Sequence, residues 1–177
     1  MSYYNGTLIL LKEKKEPKSF ILNFNENLKS IDVVLQKSDY EIIVFNDSRK
    51  EEEKEPIELD ESMTDEDVID LLCSWTGLGV LSYRHPDFKF ELGIDYLSWD
   101  DKYIYGFKVS FADNDLVYKG YNKQRELISK ISEFIDYEYI VGDINEDSQN
   151  YISMEESLDE IKEHILKNSF KIDSRNW

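Results

Sequence analysis

Cysteine is nearly absent from this chain of 177 residues. Cys73 stands alone, so no disulfide can form within the chain, which fits a reducing, cytoplasmic setting. Histidine is almost as scarce. His85 and His164 lie far apart with no thiol or helical partner at ligand spacing, whereas a structural zinc site needs four such ligands. Glycine-rich phosphate loops and the G-x-S-x-G nucleophile elbow are missing. No apolar stretch approaches the roughly 20 residues of a membrane span. Residues 1–11 have no basic start and a five-residue apolar run, so they are not read as a signal peptide. Bases are also in deficit: 21 Lys and Arg face 38 Asp and Glu, a net charge of -17. That balance argues against nucleic acid and anionic membrane as partners, because both are held by cations. It favours a positively charged protein surface.

What is present points to a folded chain. Aromatics make up 14% of the residues, far above the level of disordered chains. The pattern predicts an α+β domain spanning 1–177, with an N-terminal β-rich subregion (1–46), an acidic exposed loop (47–63), and the main sheet and helices (64–177). Residues 7–11 and 19–24 read as strands of a hairpin, the second because Phe20, Leu22 and Phe24 alternate. Residues 28–35 fit either helix or strand, and 40–45 read as a buried strand. Thr64 and Asp67 form a capping-box pair opening a helix over 64–75, with Val68, Leu71, Leu72 and Trp75 on one face. Residues 80–83, 88–96 and 103–111 form a central meander, the last two runs alternating with period two. Asp113-Asn114-Asp115 reads as a turn. Helices follow at 122–135 and at 154–167, the latter capped by Ser153 with Glu156, and 137–141 is a further strand. All three helices are expected to cover one face of the antiparallel sheet.

No catalytic, cofactor or metal residues are assigned. Cys73 falls inside a helix and reads as an inert thiol. Asp143, Asn145 and Asp147 imitate the start of a calcium loop, but Ser148 and Met154 occupy the positions where Gly and Glu belong, so an acidic turn is the reading. The pairs Asp100-Asp101 and Asp113/Asp115 lack any sign of the spacing that acid–base chemistry needs.

Charge is concentrated instead. Residues 51–70 hold eleven acids against the single base Lys54, and 143–160 hold seven acids with no Lys or Arg. Concentrated charge of one sign speeds encounter with an opposite partner, although like-charge blocks also serve simply as solvated loops. Glu51, Glu52 and Glu53 head the first block. A second spot mixes acids with aromatics at the tip of the meander: Tyr96, Trp99, Asp100, Asp101 and Tyr103, with Asp113 and Asp115 in the following turn. Binding hot spots favour Trp and Tyr, and the acids would select basic residues opposite. These ten residues are the candidate partner-binding set.

The stretches 51-EEEKEPIELDESMTDEDVIDLL-72 and 75-WTGLGVLSYRHPDFKFELGIDYLSWDDKYIYGFKVSF-111 resemble, in style, the immunity proteins of bacterial polymorphic-toxin systems. The resemblance implies a small cytoplasmic antitoxin that binds a basic toxin domain, a nuclease among the candidates, and occludes its active site. A DNA mimic that inhibits a DNA-binding protein is one alternative, and a small enzyme with an unmarked pocket is another.

Overall fold

The long first strand, β1 (Tyr4–Lys15), alternates its apolar side chains between two cores. Ile9 and Leu11 face one core, Leu8 and Leu10 the other, as the two-residue period of a strand demands. A computed structural model describes residues 4–49 and 53–177. The elements that follow are α1 (Pro17–Ser30), β2 (Val34–Leu35), β3 (Ile42–Phe45), β4 (Ile57–Glu58), α2 (Asp65–Cys73), β5 (Gly79–Arg84), β6 (Leu92–Leu97) and β7 (Ile104–Ala112). Then come α3 (Asp113–Lys119), α4 (Tyr121–Ser132), β8 (Tyr137–Gly142), α5 (Leu158–Lys167), β9 (Ile172–Asp173) and a 3-10 turn, Ser174–Asn176. The Gly142–Asp143 peptide bond is cis.

The strands form one sheet in the order β4-β3-β5-β6-β7-β1-β8-β9, with β2 also pairing β5, and every pairing is antiparallel. The expected α+β class with an antiparallel sheet is what the chain adopts. The N-terminal strand lies between β7 and β8, well inside the sheet.

Several elements differ from the sequence reading. Residues 19–24 are helix, not strand. Glu16 caps α1 by accepting from Lys18 N (3.2 Å) and Ser19 N (2.7 Å), and Pro17 at the first helical position is pre-set for helix. The buried set is Ile21, Phe24, Asn25 and Leu28, a helical face, and the Phe20/Leu22/Phe24 alternation is incidental. Strand β3 is buried on one side only, since Ile42 and Val44 are exposed. The described part of 47–63 is not wholly exposed: Ile57 pairs with Ile43, and Leu59 is buried.

The α2 capping box forms as expected, Asp67 N donating to Thr64 Oγ1 and Thr64 N to the Asp67 carboxylate. The last helix starts later than expected. Ser157 caps it by accepting from Glu160 N, and residues 153–156 form a turn. The carbonyls of Met154 and Glu156 accept from the side chains of Arg49 (2.8 Å) and Trp99 (2.9 Å), a tertiary use that holds the turn in place.

The helices also divide between the two faces. Helices α1, α2 and α4 pack on the larger core with Tyr83, Ile94, Tyr96, Phe107 and Phe111. Helix α5 packs with Ile161 and Ile165 on the other face, over Leu8, Leu10, Leu97 and Val141. Its cover reaches β1, β8 and the Leu97 end of β6, so the second face of β3, β5 and the start of β6 carries no helix.

Candidate functional site

The residues expected at the meander tip are largely used by the fold itself. Tyr96 is fully buried, its hydroxyl bonded to that of Tyr83 inside the core, so it cannot meet a partner. Burial lifts both phenols well above their ordinary titration range. Trp99 is half-buried under the 153–156 turn, donating from Nε1 to Glu156 and edge-on to Tyr105. Asp100 accepts from Lys102 N, Tyr103 N and Tyr105 Oη at 3.0, 2.9 and 2.7 Å. Burial pushes its carboxyl up, but these bonds outweigh burial and hold it below the usual range. Asp101, at φ 59°, accepts from Ser48 Oγ (2.7 Å) and Arg49 N (3.0 Å), tying the tip to the 46–49 segment. Tyr103 lies under Lys14 and Lys102.

The Asp113-Asn114-Asp115 segment is the first turn of α3 rather than a turn between elements. Asp115 is buried, and its two oxygens accept from Lys89 N and Phe90 N, each at 2.9 Å. Those two amides are thereby taken out of the strand ladder, which is why β6 begins at Leu92 instead of Phe88. Asp113 has its carboxyl raised by burial and by the neighbouring Asp147 and Asp143. Glu53 is exposed; Glu51 and Glu52 lie outside the described residues.

The acids of α2 are also spoken for. Asp65 meets Lys37 at 2.6 Å and Lys29 at 3.0 Å and accepts from Asn25 at 2.8 Å. Burial raises its carboxyl, but these three partners outweigh burial and leave it lowered. Lys18 reaches Asp70 at 2.8 Å and Glu66 at 3.8 Å.

The open half of the sheet supplies a different site. Its floor is the outward series of β5, β6 and β7: Val80 and Ser82, Gly93 and Asp95, Lys108 and Ser110. Register places Asp95 opposite both Val80 and Lys108. The 144–155 segment forms one wall, contributing Asn145, Glu146, Asp147, Tyr151 and Glu155. Three hollows of about 430, 270 and 710 Å³ all share Asp95, making a trough along the sheet.

At the trough floor Asp95 Oδ1 accepts from Asn46 Nδ2 at 2.6 Å, and among the described residues no hydrogen bond reaches Oδ2. Burial lifts the Asp95 carboxyl above the usual range, opposed by the Asn46 amide and by Lys108. Glu91, Glu146, Asp147 and Glu155 line the trough with it, against the cations Lys108 and Arg49. Arg49 is held by the Met154 carbonyl and lies over the Trp99 ring, so its cation stays at the edge of the trough.

The sequence marks this floor only as the polar half of two alternating strands, and the residues that matter most there, Asp95 and Asn46, are absent from the expected set. Among the described residues no group of three or more His, Cys, Asp or Glu is arranged to hold a metal ion. No described helix is long and apolar enough to cross a membrane. Cys73 is half-buried, and burial pushes its thiol up to about 12, far from thiolate chemistry. Comparison with family models, with curated proteins and with solved structures finds no match for this chain.

Proposed function

We propose that this chain is a cytoplasmic binding protein for a basic protein partner, of the immunity type that its sequence resembles, and that the open trough is its contact face. The observation that supports this reading is the arrangement at Asp95: a carboxylate half-sunk in an uncovered sheet face, with one oxygen fixed by Asn46 and the other uncommitted. Around it, Val80 on the floor and its register partner Val44, which is exposed, supply apolar surface, and the acids of the 144–155 wall favour cations. An Arg or Lys side chain inserted from a partner would meet Asp95 at its tip and the valines along its stem. The acids of α2 contribute less, since their lysine partners already neutralise them. For the same reason the DNA-mimic reading loses support: it needs uncompensated rows of carboxylate on rigid helices.

The test begins with the gene neighbourhood and, where a toxin-like protein is encoded there, measures its association with this chain. The on-rate should fall about tenfold or more from low to high salt, and Asp95→Asn should speed dissociation by about tenfold or more. An on-rate indifferent to salt, with dissociation unchanged by Asp95→Asn, would remove the trough from the interface. A neighbourhood without any such gene would count against the immunity form of the proposal.

A further inference from the structure

A second hollow, of about 360 Å³, lies away from the trough, where the start of α4 meets β1 and the approach to β9. Its volume falls in the range of small-molecule sites. At its base are two buried amides, Asn5 and Gln124, joined by one bond from Gln124 Nε2 to Asn5 Oδ1 at 2.7 Å. Among the described residues no hydrogen bond reaches Asn5 Nδ2 or Gln124 Oε1, so a donor and an acceptor remain for a ligand.

The walls carry charges of both signs. Arg125 donates to the Lys171 carbonyl at 3.1 Å, and the Lys171 ammonium lies over the Tyr121 ring, so two cationic side chains line the hollow. In a protein of net charge -17 this is a local exception. The N-terminus of α4, twelve residues long, opens here at Tyr121, and no side chain caps it, so its free amides add positive potential. Asp143 supplies the opposite charge. Its carboxyl is raised by burial and by Asp147, while Asn145 N and Lys171 oppose the shift. Asp113 and Asp147 lie close enough to strengthen the negative potential on that side.

We infer that this hollow binds a small zwitterion of the α-amino-acid class, its carboxylate held by Arg125, Lys171 and the start of α4, and its ammonium by Asp143. A simple anion would leave Asp143 facing like charge, and a simple cation would face Arg125 and Lys171. A ligand with both groups meets Arg125 and Asp143 together, in addition to the attraction already present between Lys171 and Asp143. The Asn5–Gln124 pair then offers a donor and an acceptor to a polar side group, beside the ring of Tyr121.

The experiment is NMR titration of the full chain with each of the common α-amino acids. For the best binder, its N-acetyl and carboxamide derivatives are added, with inorganic phosphate as an anion lacking the ammonium. At least one amino acid should give saturable shifts at Tyr121, Gln124 and Lys171, with a Kd of about 1 mM or tighter. Both blocked derivatives should bind about tenfold more weakly. Arg125→Ala should cost about tenfold in affinity, and Asp143→Asn should abolish the preference over the N-acetyl form. If Arg125→Ala disturbs the spectrum as a whole, Lys171→Ala serves in its place. Saturation by no amino acid, or equal binding of phosphate or the blocked forms, overturns the inference.

Discussion

Removing the Asp115 carboxylate should unfold the protein more readily rather than weaken its hold on a partner. Asp115 is 3% exposed and takes two backbone amides, Lys89 N and Phe90 N, at 2.9 Å each. A hydrogen bond to a charged group contributes about 1.5–3 kcal/mol, so the pair sets an upper limit near 6 kcal/mol. Lys89 and Phe90 are exposed residues, and water can take over part of what Asp115→Ala removes. The expected loss is therefore about 2–4 kcal/mol, a large fraction of the roughly 5–15 kcal/mol that holds a domain together. With a urea slope of about 2 kcal/mol/M, the unfolding midpoint should drop by about 1–2 M at unchanged slope. Hydrogen exchange gives a second, local readout: the Lys89 and Phe90 amides should lose protection while those of β7 keep theirs. Asp115→Asn should fall between wild type and Ala, because it keeps one acceptor and turns the other into a donor facing an N–H. A stability change under about 0.5 kcal/mol, the level of an ordinary surface substitution, would refute the assignment and return Asp115 to the partner-binding set.

Gly106→Ala should cost about 2 kcal/mol or more in urea or thermal melts, because a β-carbon there would run into the Ile9 carbonyl and the Leu10 backbone on β1, a strand paired on both sides. Gly93→Ala, facing the open trough with its nearest neighbours at 3.5 and 4.0 Å, should cost less than about 1 kcal/mol, and equal losses at the two sites would contradict an uncovered face. Glu41 is raised to about 7 by burial and by Glu91 beside it. Its folded form therefore holds a proton that the unfolded chain has released, so stability should decline as pH rises from about 4.5 towards 7. Discounted for the water around a carboxyl this exposed, the effect is about 1 kcal/mol, and Glu41→Gln should flatten that limb while leaving stability at pH 4 unchanged.

The sequence revealed the elements whose signals are local. The Thr64/Asp67 box and the β6–β7 alternation are each set by neighbours within a few positions and form, whereas of the expected α2 stripe Val68 and Leu72 are buried, Ile69 joins them, Leu71 is only partly buried and Trp75 falls beyond the helix end. Helix α1 was hidden because its buried stripe includes a polar residue. Asn25 is fully buried to bond Asp65, so the helical period reads as broken while Phe20, Leu22 and Phe24 supply a false period of two. The onset of β6 was hidden for the same kind of reason, since Asp115, 25 and 26 residues away, claims the amides that would have begun it. The trough was half legible. Gly93, Asp95, Lys108 and Ser110 are recognisable as an outward face, but their wall is held by Arg49 on Met154 and Trp99 on Glu156, contacts spanning 105 and 57 positions.

Net charge alone therefore overstates how much of this surface is available to a partner. The densest acidic block in the sequence includes α2, yet Lys18, Lys29 and Lys37 converge on its carboxylates and blunt their field at a distance. The tip acids Asp100 and Asp101 are committed to backbone amides and hydroxyls that shape the hairpin. Fewer acids remain outside direct salt bridges among the described residues, and in a more particular place: Asp95 on the floor, with Lys108 opposite it, and the 144–155 wall, on the part of the second face that α5 does not cover. Under the proposed function, the acids that would meet a partner therefore sit beside the exposed Val44 and an Asp95 carboxylate with one oxygen held by Asn46.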